Sequence, residues 1–390
     1  MQAPRIVFLV NGSPGSAMAI RATSFEERLA SQFRIHVAYR SANKIGSIGR
    51  FLWTLFRIRP AVCCVFDMAF SGVIAAGLYR GLSRCRVMVD TGDAIYELSK
   101  STGNRGAIAL WLTKLLERFS LAIADRLVVR SHPHQELLAK TGVETRVIPD
   151  GVDMRQFYPL KQDHLRREHQ LDGFTVVGVL GSLVWSPRWN MCYGSELIDV
   201  LDQLRDLPVK GLVIGDGSGL PHLKKLCSDR GLEDRIVFAG RLPYNDLAAY
   251  INLMDVCIST QTNDLAGQVR TTGKLPLYLA CGRFVLATEV GEAARVLPKQ
   301  MLVPYQGTKD PEYPARLAGR IRELLAQPES LDQRNAAAAI AKAHFDYDLL
   351  ARRFSDTIRE MIPNRVAQAD ESLAATGMAP SQPVPKVSRE

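Results

Sequence analysis

Short apolar runs alternate with helical patterns along most of this 390-residue chain, and this alternation limits its possible folds more than any other feature. Six candidate buried strands recur in the first half of the chain. They lie at residues 5–10, 34–39, 61–66, 86–90, 126–130 and 145–148. Strands that alternate with helices form parallel sheets whose two faces are both covered. The first half therefore predicts a doubly wound α/β domain.

A second domain is predicted because the pattern stops and then starts again. Residues 149–172 are polar and contain prolines, as expected of a domain boundary. Further strands are predicted at residues 175–180, 210–214, 235–238, 256–259 and 283–287. We assign residues 1–160 to an N-terminal Rossmann-like domain and 161–344 to a C-terminal one, with a helix near 345–363 packing back on the first. Residues 364–390 are rich in Ala, Ser, Pro and Gln, which predicts a disordered tail.

Composition narrows the classes of protein to consider. No apolar run approaches the ~20 residues that a membrane-spanning helix needs, and the apolar run at residues 6–10 is too short for a signal peptide. The seven cysteines are scattered and lack zinc spacing, which predicts reduced thiols and a cytoplasmic location. The net charge of +9 favours anionic partners. The alternative is that a soluble protein is simply basic.

The segment 259–282 carries the strongest indication of a ligand. Arg270 and Lys274 stand four residues apart, with Thr271 and Thr272 between them, immediately before an apolar, helix-like run. Fixed cations and small hydroxyl residues at the start of a helix suit a phosphate group. The alternative is a basic surface loop before a core helix, with one threonine as a helix cap.

Four loops together resemble glycosyltransferase family 4. They are IPDGVD at 148–153, IGDGSG at 214–219, VFAGRLP at 237–243, and LACG at 279–282 followed by VLAT at 285–288 and VGE at 290–292. The resemblance runs from about residue 5 to 355 and is strongest over 145–300. It implies a GT-B architecture, in which two Rossmann-like domains face each other across a cleft. In that fold the C-terminal domain binds a nucleotide-diphospho-sugar and the N-terminal domain binds the acceptor.

The resemblance also implies roles for individual residues of the second domain. Lys274 and Arg270 would stabilise negative charge on the departing diphosphate. Further donor contacts are expected at Arg188, Gly215, Asp216, Gly240, Arg241, Leu242, Thr271, Thr272, Gly291 and Glu292. For Arg188 the alternative is a surface side chain stacked between Trp185 and Trp189. The chain departs from the family at Leu277, where many members have the glutamate that binds the ribose hydroxyls; Asp264 and Glu292 are candidates to replace it.

The first domain offers fewer candidate residues. Asp93 follows a predicted strand and is the best acceptor-side carboxylate, although Asp is also a preferred helix cap. Residues expected in the acceptor site or cleft are Gly12, Ser13, Gly15, Ser16 and Arg130. His132 and His134 form an HxH pair, but no third ligand is close in sequence, so no metal site is predicted.

These features predict a glycosyltransferase, and the resemblance implies that it is retaining, independent of metal ions and without a cofactor. Its partners would be a nucleotide-sugar donor and a saccharide, lipid-linked or small-molecule acceptor, but no nucleic acid. A GT-B sugar-nucleotide epimerase and a non-catalytic sugar-nucleotide binder are the alternatives. Residues 47–59 combine arginines with aromatic residues, which suits either peripheral contact with the inner face of a membrane or an ordinary sheet-covering helix.

Overall fold

The computed structural model describes residues 3–362 except 104, 332 and 333. Two six-stranded parallel sheets form its framework, in the strand orders β2-β1-β3-β4-β5-β6 and β11-β10-β7-β12-β13-β14. The α/β GT-B fold class predicted from the sequence is therefore confirmed. The predicted tail, 364–390, lies outside the described residues.

The first sheet and its helices come from the first 147 residues. Their bounds are β1 Arg5–Val10, α1 Ala17–Leu29, β2 Arg34–Tyr39, α2 Gly46–Ile58, β3 Val62–Phe66, α3 Phe70–Leu82, β4 Arg86–Thr91, α4 Ile95–Thr102, α5 Ala107–Ile123, β5 Arg126–Val129, α6 His132–Leu138 and β6 Thr145–Val147. All six strands lie where apolar runs predicted them. These runs are continuous because helices cover both faces of the sheet.

The second sheet begins after a linker and a short helix. The bounds are α7 Asp163–Glu168, β7 Thr175–Leu180, β8 Trp185–Ser186, β9 Met191–Cys192, α8 Ser195–Gln203, β10 Val209–Ile214, α9 Leu220–Asp229, β11 Ile236–Gly240, α10 Leu247–Ile251, β12 Val256–Ser259, α11 Leu265–Val269, α12 Lys274–Ala280, β13 Phe284–Thr288, α13 Gly291–Val296, β14 Leu302–Val303, α14 Tyr313–Ala326, α15 Arg334–His344 and α16 Tyr347–Met361. β8 and β9 form a separate antiparallel pair.

The last helix, α16, returns to the first sheet. Phe354 stacks on Phe25 of α1, with ring centroids 4.3 Å apart, and meets Phe8 of β1 edge-on. The backbone of Val152 pairs with residues on both sides of Asp346, so the linker and the start of α16 are joined. Helices α1 and α16 thus cover one face of the first sheet, while α2, α3 and α5 cover the other.

The strand ends of the two sheets are joined by several contacts between their loops. Ser131 donates to the carbonyl of Val269, and Thr271 donates to the carbonyl of Arg130 over 2.9 Å. The carbonyls of Lys100 and Ser101 on α4 accept hydrogen bonds from the loop after β7. Both sets of loops follow the carboxyl ends of strands, where ligands bind in open α/β sheets.

Candidate active site

Lys274 lies at the topological switch point of the second sheet. It is the first residue of α12, and β7, the central strand, ends at Leu180, next to Gly181. A Cβ atom built on Gly181 would be 3.8 Å from Nζ of Lys274. Strands are added in opposite directions on the two sides of β7, which opens a crevice at its carboxyl end. The sequence thus places an ammonium group where this fold binds its ligands.

The Lys274 ammonium lies against an aromatic ring and within the electrostatic influence of a carboxylate. Its Nζ lies 3.3 Å from the centroid of the Tyr193 ring, which is a cation–π contact. Burial lowers the pKa of Lys274 to about 7, although the negative charge of Glu196 opposes this effect. The Tyr193 hydroxyl donates to the carbonyl of Ile258 over 2.9 Å, which fixes the ring. Lys274 can therefore lose its proton near neutral pH.

Glu196 was not anticipated from the sequence. It is buried on α8 and accepts hydrogen bonds from the Thr260 hydroxyl at 2.6 Å and the Gly194 amide at 3.0 Å. Burial raises its pKa above the usual range. The sequence contains one indication: Glu196 stands four residues before Val200, which places it on the apolar face of α8. A carboxylate on that face is oriented into the core.

Arg270, the second predicted cation, is half exposed and pairs across the cleft with the predicted acceptor-side carboxylate. Its Nε lies 2.9 Å from Oδ1 of Asp93. Asp93 is not a helix cap, because α4 begins after Ala94. The structure thus brings together two residues that were predicted independently, one from each domain. α12 has only seven residues, so the cations rather than a long helix dipole would favour an anion here.

The two threonines between these cations are engaged within the protein. Thr271 donates to the Arg130 carbonyl, and the Thr272 hydroxyl lies 3.3 Å from that of Ser259. Neither caps α12, whose N-cap is Gly273 without a side-chain bond. Thr271 therefore links the domains, whereas Thr272 is only partly buried beside the end of β12.

Arg188 reaches across to the first domain. Its guanidinium lies 5.0 Å from the ring centroid of Trp189 and donates to the carbonyl of Lys100 over 3.0 Å. Trp185 does not complete the stack that was considered as an alternative; its ring instead lies edge-on to His222. Arg188 thus lies on the loop after β7 at the interface of the two domains.

Two glycines of the GDG turn allow the loops to approach closely. Gly215 has φ +140°, and a Cβ there would lie 1.9 Å from the carbonyl oxygen of Gly181; a Cβ on Gly217 would lie 2.4 Å from that of Leu183. These contacts connect the loops after β7 and β10. The side chain of Asp216 is exposed and accepts from the Gly217 amide. The close approach of these two loops therefore explains why the motif has glycine at both positions.

The remaining predicted donor residues lie at the ends of β11 and β13. Gly240 has φ +70°, and Arg241 after it is exposed, while Leu242 is partly buried. Gly291 has φ +58° and begins α13. Glu292 is buried and accepts from the backbone amide of His132 at 3.0 Å. Glu292, a candidate replacement for the missing ribose-binding glutamate, is thus engaged with the first domain.

Asp264, the other candidate replacement, is the N-cap of α11. It accepts hydrogen bonds from the Gly267 amide at 2.9 Å, the Thr262 hydroxyl at 2.8 Å, and the Ser101 hydroxyl. Ser101 belongs to the first domain. Leu277, at the family's glutamate position, is buried in the core of the second domain.

The predicted cleft loop of the first domain follows β1. Ser16 caps α1 by accepting from the Ala19 amide, Gly15 has φ +80°, and Gly12 lies against the Ser16 side chain. Ser13 is exposed and lines a cavity of about 560 Å³ together with Tyr39, Arg40, Arg50 and Trp53. This loop therefore lies at an open site at the carboxyl end of the sheet.

The Arg130 side chain, expected to face the cleft, is instead buried beneath it. Its guanidinium bonds Asp90 at 2.6 Å and also bonds Asp150. Arg21 binds the same two carboxylates and the carbonyls of Ile148 and Pro149. An uncompensated buried charge is costly, which explains why both arginines have carboxylate partners. Only the backbone of Arg130 reaches the second domain, through its carbonyl.

Two further titratable groups lie near the cleft: Asp67, which was not anticipated, and His134 of the HxH pair. Asp67 follows β3 and has φ +73°, and burial together with the nearby Asp93 raises its pKa to about 6. The His134 side chain is buried, which lowers its pKa to about 4, and its Nδ1 has no hydrogen-bond partner. Among the residues that the structure describes, no three His, Cys, Asp or Glu side chains come together as metal ligands.

Comparison with known proteins finds a family match for part of the chain. Residues 175–327 match the family model described as Glycosyl transferases group 1. The chain is 26% identical over 229 residues to the 2-deoxystreptamine glucosyltransferase of Streptomyces kanamyceticus, covering 56% of this chain and 55% of that protein. It is 29% identical over 271 residues to the D-inositol 3-phosphate glycosyltransferase of Acidothermus cellulolyticus, covering 65% and 57%. The chain thus spans about half the length of the curated relatives it matches.

Solved structures agree on the fold. Sucrose-phosphate synthase from Thermosynechococcus elongatus superposes with a TM-score of 0.74 at 17% identity, over 92% of this chain and 99% of that one. Anabaena HepE in complex with UDP and glucose superposes with a TM-score of 0.71, also at 17% identity, over 91% and 99%. At these identities the likeness shows the fold alone. The matches confirm what the four loops indicated: the chain has a GT-B fold and resembles glycosyltransferase family 4, with the group 1 match in its second domain.

Proposed function

We propose that this protein transfers a sugar from a nucleotide-diphospho-sugar to an acceptor hydroxyl. The observation that carries the proposal is the Lys274 ammonium at the switch point of the second sheet, beside Tyr193 and Glu196. Departure of a diphosphate leaves negative charge on its terminal phosphate. A preorganised cation in a site with little water stabilises that charge more than it stabilises the intact donor.

The second domain would bind the donor through the loops that follow β7, β10, β11, β12 and β13. The GDG turn, the residues after Gly240 and the start of α13 all lie at this edge of the sheet. A donor of this kind is also favoured by relatives that are named glycosyltransferases and by HepE, which was solved with UDP-glucose. Arg270 and Arg188 would supply further positive charge.

The first domain would bind the acceptor near Asp93 and the loop at Gly12–Ser16. In the structure Asp93 is neutralised by Arg270, so a substrate that attracts Arg270 would free this carboxylate for an acceptor hydroxyl. The relatives named above act on 2-deoxystreptamine and D-inositol 3-phosphate, and another is an α-monoglucosyldiacylglycerol synthase. We accordingly propose a hydroxyl of a saccharide, a lipid-linked sugar or a small molecule as the acceptor.

Retention of anomeric configuration and independence from metal ions belong to the same proposal. Retention follows from the family 4 resemblance. Protein cations at the diphosphate would perform the charge neutralisation that a divalent ion performs in other transferases. The reaction needs no cofactor beyond the donor itself. A cytoplasmic location, with contact at the inner face of a membrane, would give access to nucleotide sugars and to lipid-linked acceptors.

Thermal unfolding with nucleotides, followed by rate measurements, tests this function. UDP, GDP and ADP are compared with uridine, and the matching diphosphate should raise Tm because it binds only the folded state. Lys274→Ala should then lower turnover on the order of 10²–10³-fold, by analogy with the loss of one oxyanion donor. Lys225→Ala, at an exposed lysine of α9, is the control. No shift with any nucleotide would reject the donor site, and donor conversion without acceptor would favour an epimerase.

A further inference from the structure

Helix α5 carries large apolar side chains on its solvent-facing side as well as on the side that faces the sheet. Five large apolar side chains project into solvent from one face, with exposures between 40% and 78%; they are Ile108, Trp111, Leu112, Leu115 and Phe119. Their spacing of three or four residues defines a single stripe along the helix. The opposite face buries two polar residues, Thr113 and Ser120, together with Ile123. A helix that only covered a sheet would place its polar residues outside.

The neighbouring helices α2 and α3 extend this apolar surface. α3 packs between α2 and α5 on the same face of the first sheet, and Trp53, Phe56, Leu78 and Leu82 are exposed on α2 and α3. With Ile45, which precedes α2, this region holds ten of the fourteen large apolar side chains that are exposed in the described part of the chain. We call the outer surface of α2, α3 and α5 the apolar face. Clusters of this kind mark interaction sites, whereas single exposed apolar residues do not.

Positive charge accompanies the apolar side chains. Exposed cations on the three helices are Arg50, Arg57, Lys114 and Arg118. Arg57 lies over the Trp53 ring, 5.0 Å from its centroid. The sequence of these helices contains one carboxylate, Glu117, which is partly buried and accepts from the Tyr96 amide at 2.6 Å. The apolar face is therefore edged by cations with little compensating negative charge.

We propose that the apolar face docks onto an anionic lipid bilayer. A bilayer interface takes up aromatic and aliphatic side chains and attracts lysine and arginine through its negative surface potential. A second copy of the chain fits less well, because a two-fold contact would bring the cations of α5 together without carboxylates to pair with them. Among the described residues, no helix is both long and apolar enough to cross a bilayer. Docking does not require the transferase activity proposed above.

The apolar face also borders the open site of the first domain. Trp53 and Arg50 line the 560 Å³ cavity that includes Ser13 and Arg40 beside the predicted cleft loop. Docking through α2, α3 and α5 would therefore bring this cavity to the level of the lipid headgroups. The sequence of α2 alone predicted only a basic, aromatic helix, whereas the structure assigns the larger part of the apolar face to α5.

Vesicle sedimentation with the full chain tests the proposal. Vesicles of phosphatidylcholine alone are compared with vesicles that also contain phosphatidylglycerol, and binding should require the anionic lipid. Leu112→Ser/Leu115→Ser should lower the partition coefficient at least about tenfold, because two exposed leucines lose their burial in lipid. Lys114→Glu/Arg118→Glu should lower it about fivefold or more for each cation. The matched controls are Val184→Ser and Lys161→Glu/Lys299→Glu, exposed in the second domain.

Tryptophan fluorescence gives an independent measurement. The four tryptophans divide between the apolar face, with Trp53 and Trp111, and the loop after β7, with Trp185 and Trp189. Brominated lipids should quench the fluorescence of the Trp185→Phe/Trp189→Phe variant, which retains the two tryptophans of the apolar face. They should not quench that of Trp53→Phe/Trp111→Phe, which retains the two of the loop after β7. Equal binding of all variants, or equal binding to neutral and anionic vesicles, would overturn the proposal. So would a dimer in sedimentation equilibrium that Leu112→Ser/Leu115→Ser dissociates, if no vesicle binding accompanies it.

Discussion

The pKa of Lys274 predicts that the proposed reaction loses activity as the pH rises above neutrality. Only the protonated ammonium can stabilise the departing diphosphate, and its pKa in the free protein is about 7. At pH 8 about one tenth of the molecules would carry the charge, since each pH unit changes the ratio of the two forms tenfold. We therefore expect kcat/KM, which reports on the free enzyme, to fall about tenfold per pH unit above pH 7.

Glu196 and Lys274 variants identify the group responsible for this fall. Glu196→Gln removes the negative charge that favours the ammonium, so the pKa of Lys274 should drop further and the loss of activity should begin at lower pH. Lys274→Arg retains its charge at every accessible pH, so its profile should lack the fall near pH 7 even if its rate is lower throughout. The assay is initial rate at subsaturating donor from pH 5.5 to 9. An unchanged alkaline limb in Lys274→Arg would refute the assignment.

Three further predictions concern other parts of the site. Gly215→Ala should lower the free energy of unfolding by at least about 1–3 kcal/mol, because its Cβ would overlap a backbone oxygen at positive φ; Gly319→Ala, in open space on α14, should not destabilise the fold, and equal effects of the two would contradict this account. Asp93→Asn should raise KM for the acceptor without raising KM for the donor, and the reverse result would move Asp93 to the donor side. Transfer should survive EDTA, since we propose that protein cations neutralise the diphosphate; loss of activity that magnesium or manganese restores would contradict this proposal.

The strands of the two sheets could be predicted well because parallel strands covered on both faces are continuous apolar runs. Residues 5–10 and 256–259, for example, were predicted with the bounds that the structure shows. β14 was missed because it contains only Leu302 and Val303, which is too short for a recognisable run. The β8–β9 pair was missed for the same reason. Length, rather than composition, determined which strands the sequence predicted.

Parts of the candidate site could be predicted wherever a residue directly follows a strand. Asp93 and Arg270 were selected from their positions in different domains, and the structure joins them across the cleft. Glu196 was missed because it lies 78 positions before Lys274, inside a helix, where a buried carboxylate resembles an exposed one. Arg130 ends a strand like other cleft residues, yet its side chain turns toward Asp90 and Asp150. The position of a residue on a strand predicts where its backbone lies, but not where its side chain points.

Helix α5 shows what an amphipathic pattern alone leaves undetermined. Its apolar spacing is that of an amphipathic helix, and such spacing does not distinguish a stripe facing the sheet from one facing outward. The sheet beneath already receives apolar side chains from α3 and from the last residues of α5, among them Ile123. Thr113 and Ser120 also face the interior from α5, and their hydroxyls donate to carbonyls of their own helix. Only packing decides the outcome, and it leaves most of the larger apolar stripe exposed among the residues that the structure describes.

Three carboxylates of the cleft are paired with other groups of the protein. Asp93 pairs with Arg270, Glu292 binds the amide and ring of His132, and Asp264 accepts from Ser101. Each contact joins one domain to the other, so these three carboxylates are already used for closure. Half-exposed ion pairs such as Asp93–Arg270 contribute at most about 1 kcal/mol, so the binding of a diphosphate can replace them at little cost. A doubly charged phosphate group would compete for Arg270 and release Asp93 toward the acceptor side. The same contacts that close the cleft would thus make the acceptor carboxylate available only when the donor is bound.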